Sequence, residues 1–270
     1  MTIMQVFWLA ILQGITEFLP VSSSGHLILV SKFTDFPDQG LAMDVAVHIG
    51  SIAAVLIYFA KDIWNILKGV LKAKLLPSFA NNGSKLFWLI IIATIPAVIA
   101  GLVLKNYGME WMRDTKIIGW NILVFGILLW FADKYTLSIR KIENLEIVDA
   151  LLIGLAQCLA LIPGTSRSGI TITMSRLLGV ERREAAKFCM LLSIPTIAGA
   201  GALVFLEMIE AGVKDFGFEI WGIAFSFVAS ICAIWVMMNW LKNRTFLPFV
   251  IYRVILGTVL LLYSYGFLSF

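Results

Sequence analysis

Side chains able to do chemistry are concentrated in one short segment near the N-terminus, residues 13–26. Gln13 and Glu17 lie four residues apart, so a helix would place both on one face. Their oxygens suit a hard divalent cation such as Mg²⁺ or Ca²⁺, and the carboxylate could instead orient a base. A run of three serines and a histidine follows, namely Ser22, Ser23, Ser24 and His26. The segment predicts an anion site at a helix start, with hydroxyls and an imidazole able to exchange protons.

A second polar segment, residues 163–169, reads PGTSRSG and repeats the helix start with an added guanidinium. The planar fork of Arg167 matches two phosphate oxygens at once, although pairing with Glu17 is its competing structural role. The glycine spacing of both segments excludes a Walker loop and a Rossmann fingerprint. The predicted phosphate ligands are Ser22, Ser24, Ser166, Arg167 and Thr171. For each hydroxyl the competing role is a helix cap or a bond to its own backbone.

Two further ionisable side chains have structural interpretations. His48 lies four residues after Asp44 in the apolar stretch 43–60, and we expect it to hydrogen-bond between helices. No zinc-ligand spacing exists, since His26 and His48 are the only histidines. Arg253 lies near the predicted cytoplasmic end of the last apolar stretch, and we expect its side chain to extend to the membrane interface.

The composition places the chain in lipid. Hydrophobic residues make up 60% and charged residues only 14%, with a mean hydropathy of +0.92. A soluble domain carries about a quarter charged residues. The net charge of +4 could indicate nucleic acid, but in a membrane protein excess Lys and Arg mark cytoplasmic loops. We therefore predict a multi-pass membrane protein with no nucleic-acid partner.

Apolar stretches predict an all-α membrane protein of about ten helices. Six stretches are long enough, or nearly so, to cross a bilayer: 43–60, 86–104, 117–132, 188–206, 220–241 and 246–268. Residues 3–33 and 147–178 are also apolar, but Pro20 and Pro163 interrupt them next to the polar segments. Each of these two regions is predicted to be two half-helices joined by a polar break.

The two broken regions resemble each other, which predicts an internal repeat. Gln13 and Gly25 match Gln157 and Gly169 at an offset of 144. The prolines Pro20 and Pro163 instead match at an offset of 143, one residue out of that alignment. Three spans follow each break, and because three is odd the second half must be inverted. We predict one integral membrane domain over 1–270, with repeats of about 1–143 and 144–270.

Loop charges predict the orientation. The connections 61–85, 133–146 and 242–244 are basic and are predicted to be cytoplasmic, whereas 207–219 is acidic and is predicted to be outside. Basic residues also flank both ends of 147–178, so this region should enter and return at the cytoplasmic face as a re-entrant hairpin. By inversion, the first hairpin should enter from outside.

At residues 16–26 (TEFLPVSSSGH), 163–169 and 248–253 the sequence closely resembles the bacterial undecaprenyl-diphosphate phosphatase family of the bacitracin-resistance type. The resemblance covers nearly the whole chain. It implies re-entrant hairpins that meet at mid-membrane, and hydrolysis of undecaprenyl diphosphate in the bacterial cytoplasmic membrane, with the site facing the extracytoplasmic side. It also implies dependence on a divalent cation and a role in recycling the carrier lipid of cell-wall synthesis. The family has Glu or Gln at the position of Gln13, so with the amide here Glu17 should do more of the work.

The resulting hypothesis is an enzyme in which Arg167 and a cation hold the diphosphate. Ser23 attacks, Glu17 serves as base or metal ligand, and His26 acts as acid or base, with His26 as nucleophile left open. The rival hypothesis is a flippase or transporter for the same lipid, and a structural membrane subunit is a weaker third. The sequence leaves open whether the protein forms a homodimer.

Overall fold

The computed structural model describes residues 2–34, 40–105, 110–210 and 217–268, and these residues form α-helices and short 3-10 turns without strands. The helices are α1 Ile3–Thr16, α2 Ser23–Phe33, α3 Gly40–Tyr58, α4 Ala60–Lys72, α5 Asn82–Lys105, α6 Thr115–Tyr135, α7 Ile147–Cys158, α8 Arg167–Leu177, α9 Arg182–Glu210, α10 Glu219–Trp240 and α11 Leu247–Ser264. Of the predicted acidic connection at 207–219, residues 211–216 lie outside the described ranges.

Five of these helices, α5, α6, α9, α10 and α11, are long and apolar enough to cross a membrane. A sixth span is possible if α3 and α4, which meet at a bend of 78°, are counted together. The predicted all-α membrane fold is confirmed. The interpretation of 61–85 as a loop was wrong, because α4 occupies its first half. Ile66 and Val70 lie four residues apart and are buried on the side of α4 that contacts α5, and this packing favours the helix.

The second broken region is a hairpin whose ends lie side by side. Residues Arg140 and Val180, before α7 and after α8, form an isolated parallel β-bridge. The guanidinium of Arg140 also donates to the carboxylate of Asp149 and, at 3.0 Å, to the carbonyl of Leu178. The chain therefore enters and leaves at one place, as a re-entrant hairpin must.

Helix α6 gives the direction of both hairpins. Lys32, at the end of α2, donates to the hydroxyl of Thr115, the first residue of α6, at 3.1 Å. Arg176, at the end of α8, donates at 3.1 Å to the carboxylate of Asp133 near the other end of α6. The two hairpins thus approach from opposite ends of this helix, and their breaks meet between them. The repeat boundary near residue 143 stays a prediction.

Small residues allow equivalent close contacts in the two halves. Helix α1 packs on α10, and α7 packs on α5. A Cβ added at Gly14 would lie 2.7 Å from the carbonyl oxygen of Ser226, and one added at Gly154 would lie 2.5 Å from that of Ala93. Glycine is therefore required at both contacts, because any side chain would force the backbones apart.

Candidate active site

The two breaks have the same local structure. Ser22 and Ser166 are the N-caps of α2 and α8, with φ of 76° and 74°, an unusual conformation for residues other than glycine. Their hydroxyls accept from the backbone N–H groups of Gly25 at 3.3 Å and Gly169 at 3.0 Å. Of the two repeat frames in the sequence, this geometry selects the offset of 144. Ser23 and Arg167 are then equivalent as the first residues of their helices.

Both of these residues bind the carboxylate of Glu17. Ser23 Oγ donates to Glu17 Oε2 at 2.7 Å, and Arg167 Nη2 donates to Glu17 Oε1 at 3.0 Å. Gln13 Nε2 also donates to Oε2, at 2.8 Å. Glu17 is buried, so its charge at membrane depth requires this set of donors. The structure thus brings together four of the residues that the sequence predicted for the site.

His48 joins the site from α3. Its Nδ1 donates to the carbonyl of Asp44 at 2.6 Å, which leaves Nε2 as an acceptor for Gln13 Nε2 at 3.1 Å. The Nε2 atom also lies 3.9 Å from Glu17 Oε2. The predicted hydrogen bond between helices is therefore present, but it contacts the centre of the site, which the sequence did not indicate.

His26 has partners on both ring nitrogens. Its Nδ1 donates to the carbonyl of Ser22 at 2.7 Å, and its Nε2 lies 2.5 Å from the hydroxyl of Tyr252 on α11. The two rings stack, with their centroids 5.6 Å apart. With Nδ1 protonated, Nε2 accepts from the Tyr252 hydroxyl. Sequence reasoning did not assign Tyr252 to the site.

The expectation that Arg253 extends to the membrane interface was wrong, because its side chain is fully buried between the two breaks. Its guanidinium donates, at 3.0–3.2 Å, to five backbone carbonyls, those of Pro20, Asn121, Ile122, Gly164 and Thr165. Breaks in helices leave carbonyls without intrahelical partners, and in lipid these must be satisfied by protein. Arg253 does this for both breaks, through the carbonyls of Pro20, Gly164 and Thr165, and it also ties them to two carbonyls in the middle of α6.

The other predicted phosphate ligands are mostly engaged with their own helices. Ser166 caps α8, and the hydroxyl of Thr171, which is fully buried, donates to the carbonyl of Arg167 at 2.9 Å. Ser24 is exposed at the start of α2, 3.5 Å from the hydroxyl of Ser22. Direct phosphate binding by these hydroxyls stays a prediction.

Three buried polar atoms at the breaks have no partner in the described part of the chain: Gln13 Oε1, Thr165 Oγ1 and Arg167 Nη1. The last is a charged donor beside Glu17, and it can bind an anion. Gln13 Oε1 is an acceptor that can bind a cation. Among the described residues, no group of three or more His, Cys, Asp or Glu could hold a metal ion by itself.

The fold and this site define an α-helical membrane protein with a buried ion pair of Glu17 and Arg167, built where two opposed helix starts meet. The family model described as bacitracin resistance protein BacA matches residues 6–259, and the chain belongs to this family. It is 48% identical over 268 residues to an undecaprenyl-diphosphatase of Roseobacter denitrificans, covering 98% of this chain and 100% of that protein. Undecaprenyl-diphosphatases of Alteromonas mediterranea and Hahella chejuensis are 45% and 46% identical, each over 98% of this chain and at least 99% of their own length.

Proposed function

We propose that this protein hydrolyses undecaprenyl diphosphate to undecaprenyl phosphate and inorganic phosphate, and so recycles the carrier lipid of cell-wall synthesis. The names of its full-length relatives support the activity. The structural observation that carries the proposal is the convergence of Ser23 and Arg167 on the two oxygens of Glu17. The nucleophile Ser23, the base Glu17 and the phosphate-binding guanidinium of Arg167 are thereby held within one buried site.

The substrate is bound by polar groups that have no hydrogen-bond partner in the described part of the protein. Arg167 Nη2 is held by Glu17, so the fork is fixed and Nη1 is left to donate to a phosphate oxygen. The first-turn N–H groups of α2 and α8 add positive potential from two opposed directions. Negative charge that develops on the transferring phosphoryl group is stabilised by the same donors.

The chemical step is assigned to Ser23. Its Oγ forms a bond to the terminal phosphorus, its proton passes to Glu17 Oε2, and the bond from that phosphorus to the bridging oxygen breaks. Undecaprenyl phosphate leaves with the bridging oxygen. Water then attacks the phosphorus of the phosphoserine. As the bond from this phosphorus to Ser23 Oγ breaks, the proton on Glu17 returns to Oγ, and inorganic phosphate leaves with both hydrogens of the water. Both nitrogens of His26 are engaged in the structure, which favours an acid–base role through Tyr252 over nucleophilic attack.

The proposed site also binds a divalent cation, Mg²⁺ or Ca²⁺. Gln13 Oε1 and the Glu17 carboxylate are oxygen donors of the kind such ions prefer, and the diphosphate would complete the ligand set. The ion, when bound, neutralises charge on the diphosphate.

We further propose that the protein resides in the bacterial cytoplasmic membrane, with its site open to the extracytoplasmic side. The basic connections that meet at the α8 end of α6 support a cytoplasmic location for that end. Eight residues of α8 are buried, whereas Ser24, Lys32 and Phe33 of α2 are exposed. Among the described residues, the site is therefore less enclosed on the side of the first hairpin.

The test is phosphate release by purified protein in detergent, with and without chelator. We expect release to stop with chelator, and to fall at least a hundredfold in Ser23→Ala, as for loss of a positioned nucleophile or acid–base group. Ser138→Ala, at an exposed connection, should retain full activity as a control. Rapid quenching and mapping of the labelled phosphoryl group should find it on Ser23, and a stable adduct on His26 would overturn the assignment.

The flippase alternative is favoured by one observation, the pair of opposed discontinuous helices, which is typical of transporters. A transporter needs substrate-binding groups but no nucleophile. Loss of phosphate release in Ser23→Ala and His26→Ala, with lipid binding and lipid transfer retained, would separate the two activities. Lipid transfer in vesicles by the wild type, without any release of phosphate, would favour the flippase.

A further inference from the structure

Helix α4 is set apart by its bend from α3 and by its surface. It turns away from α3 by 78° and connects to α5, a candidate span, which is the arrangement of a helix lying along one membrane face. One side is buried against α5 through Ile66, Gly69 and Val70. The remaining two sides of the helix are exposed, and they differ from each other in chemistry.

The buried side holds α4 firmly in place. A Cβ at Gly69 would lie 2.6 Å from the backbone nitrogen of Ser84, and the amide of Asn81 donates to the carbonyl of Gly69 at 3.3 Å. At the other end, Asp62 forms an ion pair of 2.5 Å with Lys187 of α9. Because of these contacts, the exposed surface is a fixed feature of the fold.

The first exposed side is an apolar stripe formed by Trp64, Leu67 and Leu71, which are 57%, 45% and 66% exposed. Their spacing of three and four residues places them on one line along the helix. Leu75 and Leu76 continue this surface beyond the helix and are similarly exposed. A contiguous apolar patch of this kind marks a surface that meets protein or membrane.

The second exposed side is a row of lysines. Lys61, Lys68 and Lys72 are spaced by seven and four residues and lie about 100° around the helix from the apolar stripe. Lys68 Nζ lies 5.2 Å from the centre of the Trp64 ring, which joins the two sides at one point. An indole beside lysines whose stems cover apolar surface is typical of the boundary between acyl chains and headgroups.

We propose that α4 is an in-plane interfacial helix that binds anionic phospholipid. The stripe of Trp64, Leu67 and Leu71 inserts among the acyl chains, and the lysine row binds headgroup phosphates of the same leaflet. Charge complementarity selects this occupant, because three lysines on one edge of an apolar stripe match an anionic lipid surface better than they match a second copy of the same basic face. The surface lies apart from Glu17 and Arg167, so it anchors and orients the protein without taking part in the reaction.

The first test measures lipid preference. Protein in neutral detergent is titrated with fluorescent phosphatidylglycerol and phosphatidylcholine, and the ratio of their affinities is compared with that of the triple variant Lys61→Gln, Lys68→Gln, Lys72→Gln. Each lysine near a surface contributes about fivefold to anionic lipid binding, so the triple variant should lose at least ~10-fold of the preference. In 1 M salt, where the Debye length is about 3 Å, the two proteins should become alike.

A matched variant removes three other lysines of the same face, Lys134, Lys141 and Lys242. Its preference should fall less than threefold, and phosphate release by both triple variants should equal that of the wild type, which demonstrates an intact fold. Equal losses of preference in the two triple variants would overturn the proposal, since net charge alone would then explain the binding. An unchanged preference in the α4 variant would also overturn it.

The second test measures depth. In vesicles of brominated phosphatidylglycerol, the difference in fluorescence between wild type and Trp64→Phe isolates the signal of Trp64. We expect strong quenching of this signal by bromine on the upper acyl chain and little by aqueous iodide. Quenching by iodide alone would show that the stripe faces water. Protection from both quenchers, together with a cross-link between copies at residue 67, would show that the stripe is covered in a dimer. Either result would overturn the proposal.

Discussion

Ser23 and Arg167 occupy the same position at the starts of α2 and α8, and each donates to a different oxygen of Glu17. The repeat has therefore produced two different side chains at equivalent places, and one carboxylate between them aligns both. Since Glu17 is buried, neither contact is easily replaced by water.

Glu17→Gln should abolish most phosphate release. The amide keeps the size of the side chain but removes the charge that holds Arg167 and that, in the proposed mechanism, accepts the Ser23 proton. We expect turnover to fall at least about a hundredfold, the usual contribution of a general base. Steady-state phosphate release measures this, with thermal unfolding of the variant as a control for folding. Activity within threefold of wild type would rule out Glu17 as the base.

Arg167→Lys should be much less active even though it keeps the positive charge. A lysine that pairs with Glu17 cannot present a second donor in the fixed plane that Nη1 occupies. The loss should be about tenfold or more in kcat/KM, as expected for one charge-assisted hydrogen bond of about 1.5–3 kcal/mol. Equal kcat/KM in the lysine variant would indicate that charge alone suffices.

Arg253→Met should destabilise the fold more than it affects chemistry. Five carbonyls of the two breaks and α6 would lose a donor, and several would be left buried without a partner. Each such group costs about 1–3 kcal/mol, so we expect a loss of about 3 kcal/mol or more in free energy of unfolding, measured by denaturant titration in mixed micelles. Arg244→Met, an exposed residue of the turn before α11, should change stability by less than about 0.5 kcal/mol.

His48→Ala should lower activity by releasing Gln13, whose amide His48 holds against Glu17. One hydrogen bond of about 1 kcal/mol predicts a loss of about fivefold. His48→Gln retains an acceptor at this place and should recover most of the rate, which a purely steric role for the ring would not predict. Turnover of the two variants at saturating lipid provides the comparison, and equal activities would contradict the positioning role.

Residue types and their order were enough to predict which segments lie in lipid and which side chains are unusual there. Glu17, His26 and Arg167 could be predicted as site residues because an ionisable group in an apolar stretch is energetically costly. This cost depends only on the residue and the stretch that contains it, so no knowledge of distant contacts is needed. The breaks were found for a similar reason, since proline and glycine limit the local backbone. The charges of the connections predicted a re-entrant second hairpin in the same way.

Contacts between groups far apart in the sequence became known from the fold alone. His26 meets Tyr252, 226 positions away, and Arg253 is buried because two breaks and α6 bring their carbonyls to it. The helical spacing of Ile63, Ile66 and Val70 is a signal of α4 that the sequence contains, but only the packing on α5 shows which side of the helix is buried. Hydropathy and charge describe the medium that each segment prefers, whereas hydrogen bonds depend on which segments pack together, and that is a property of the whole fold.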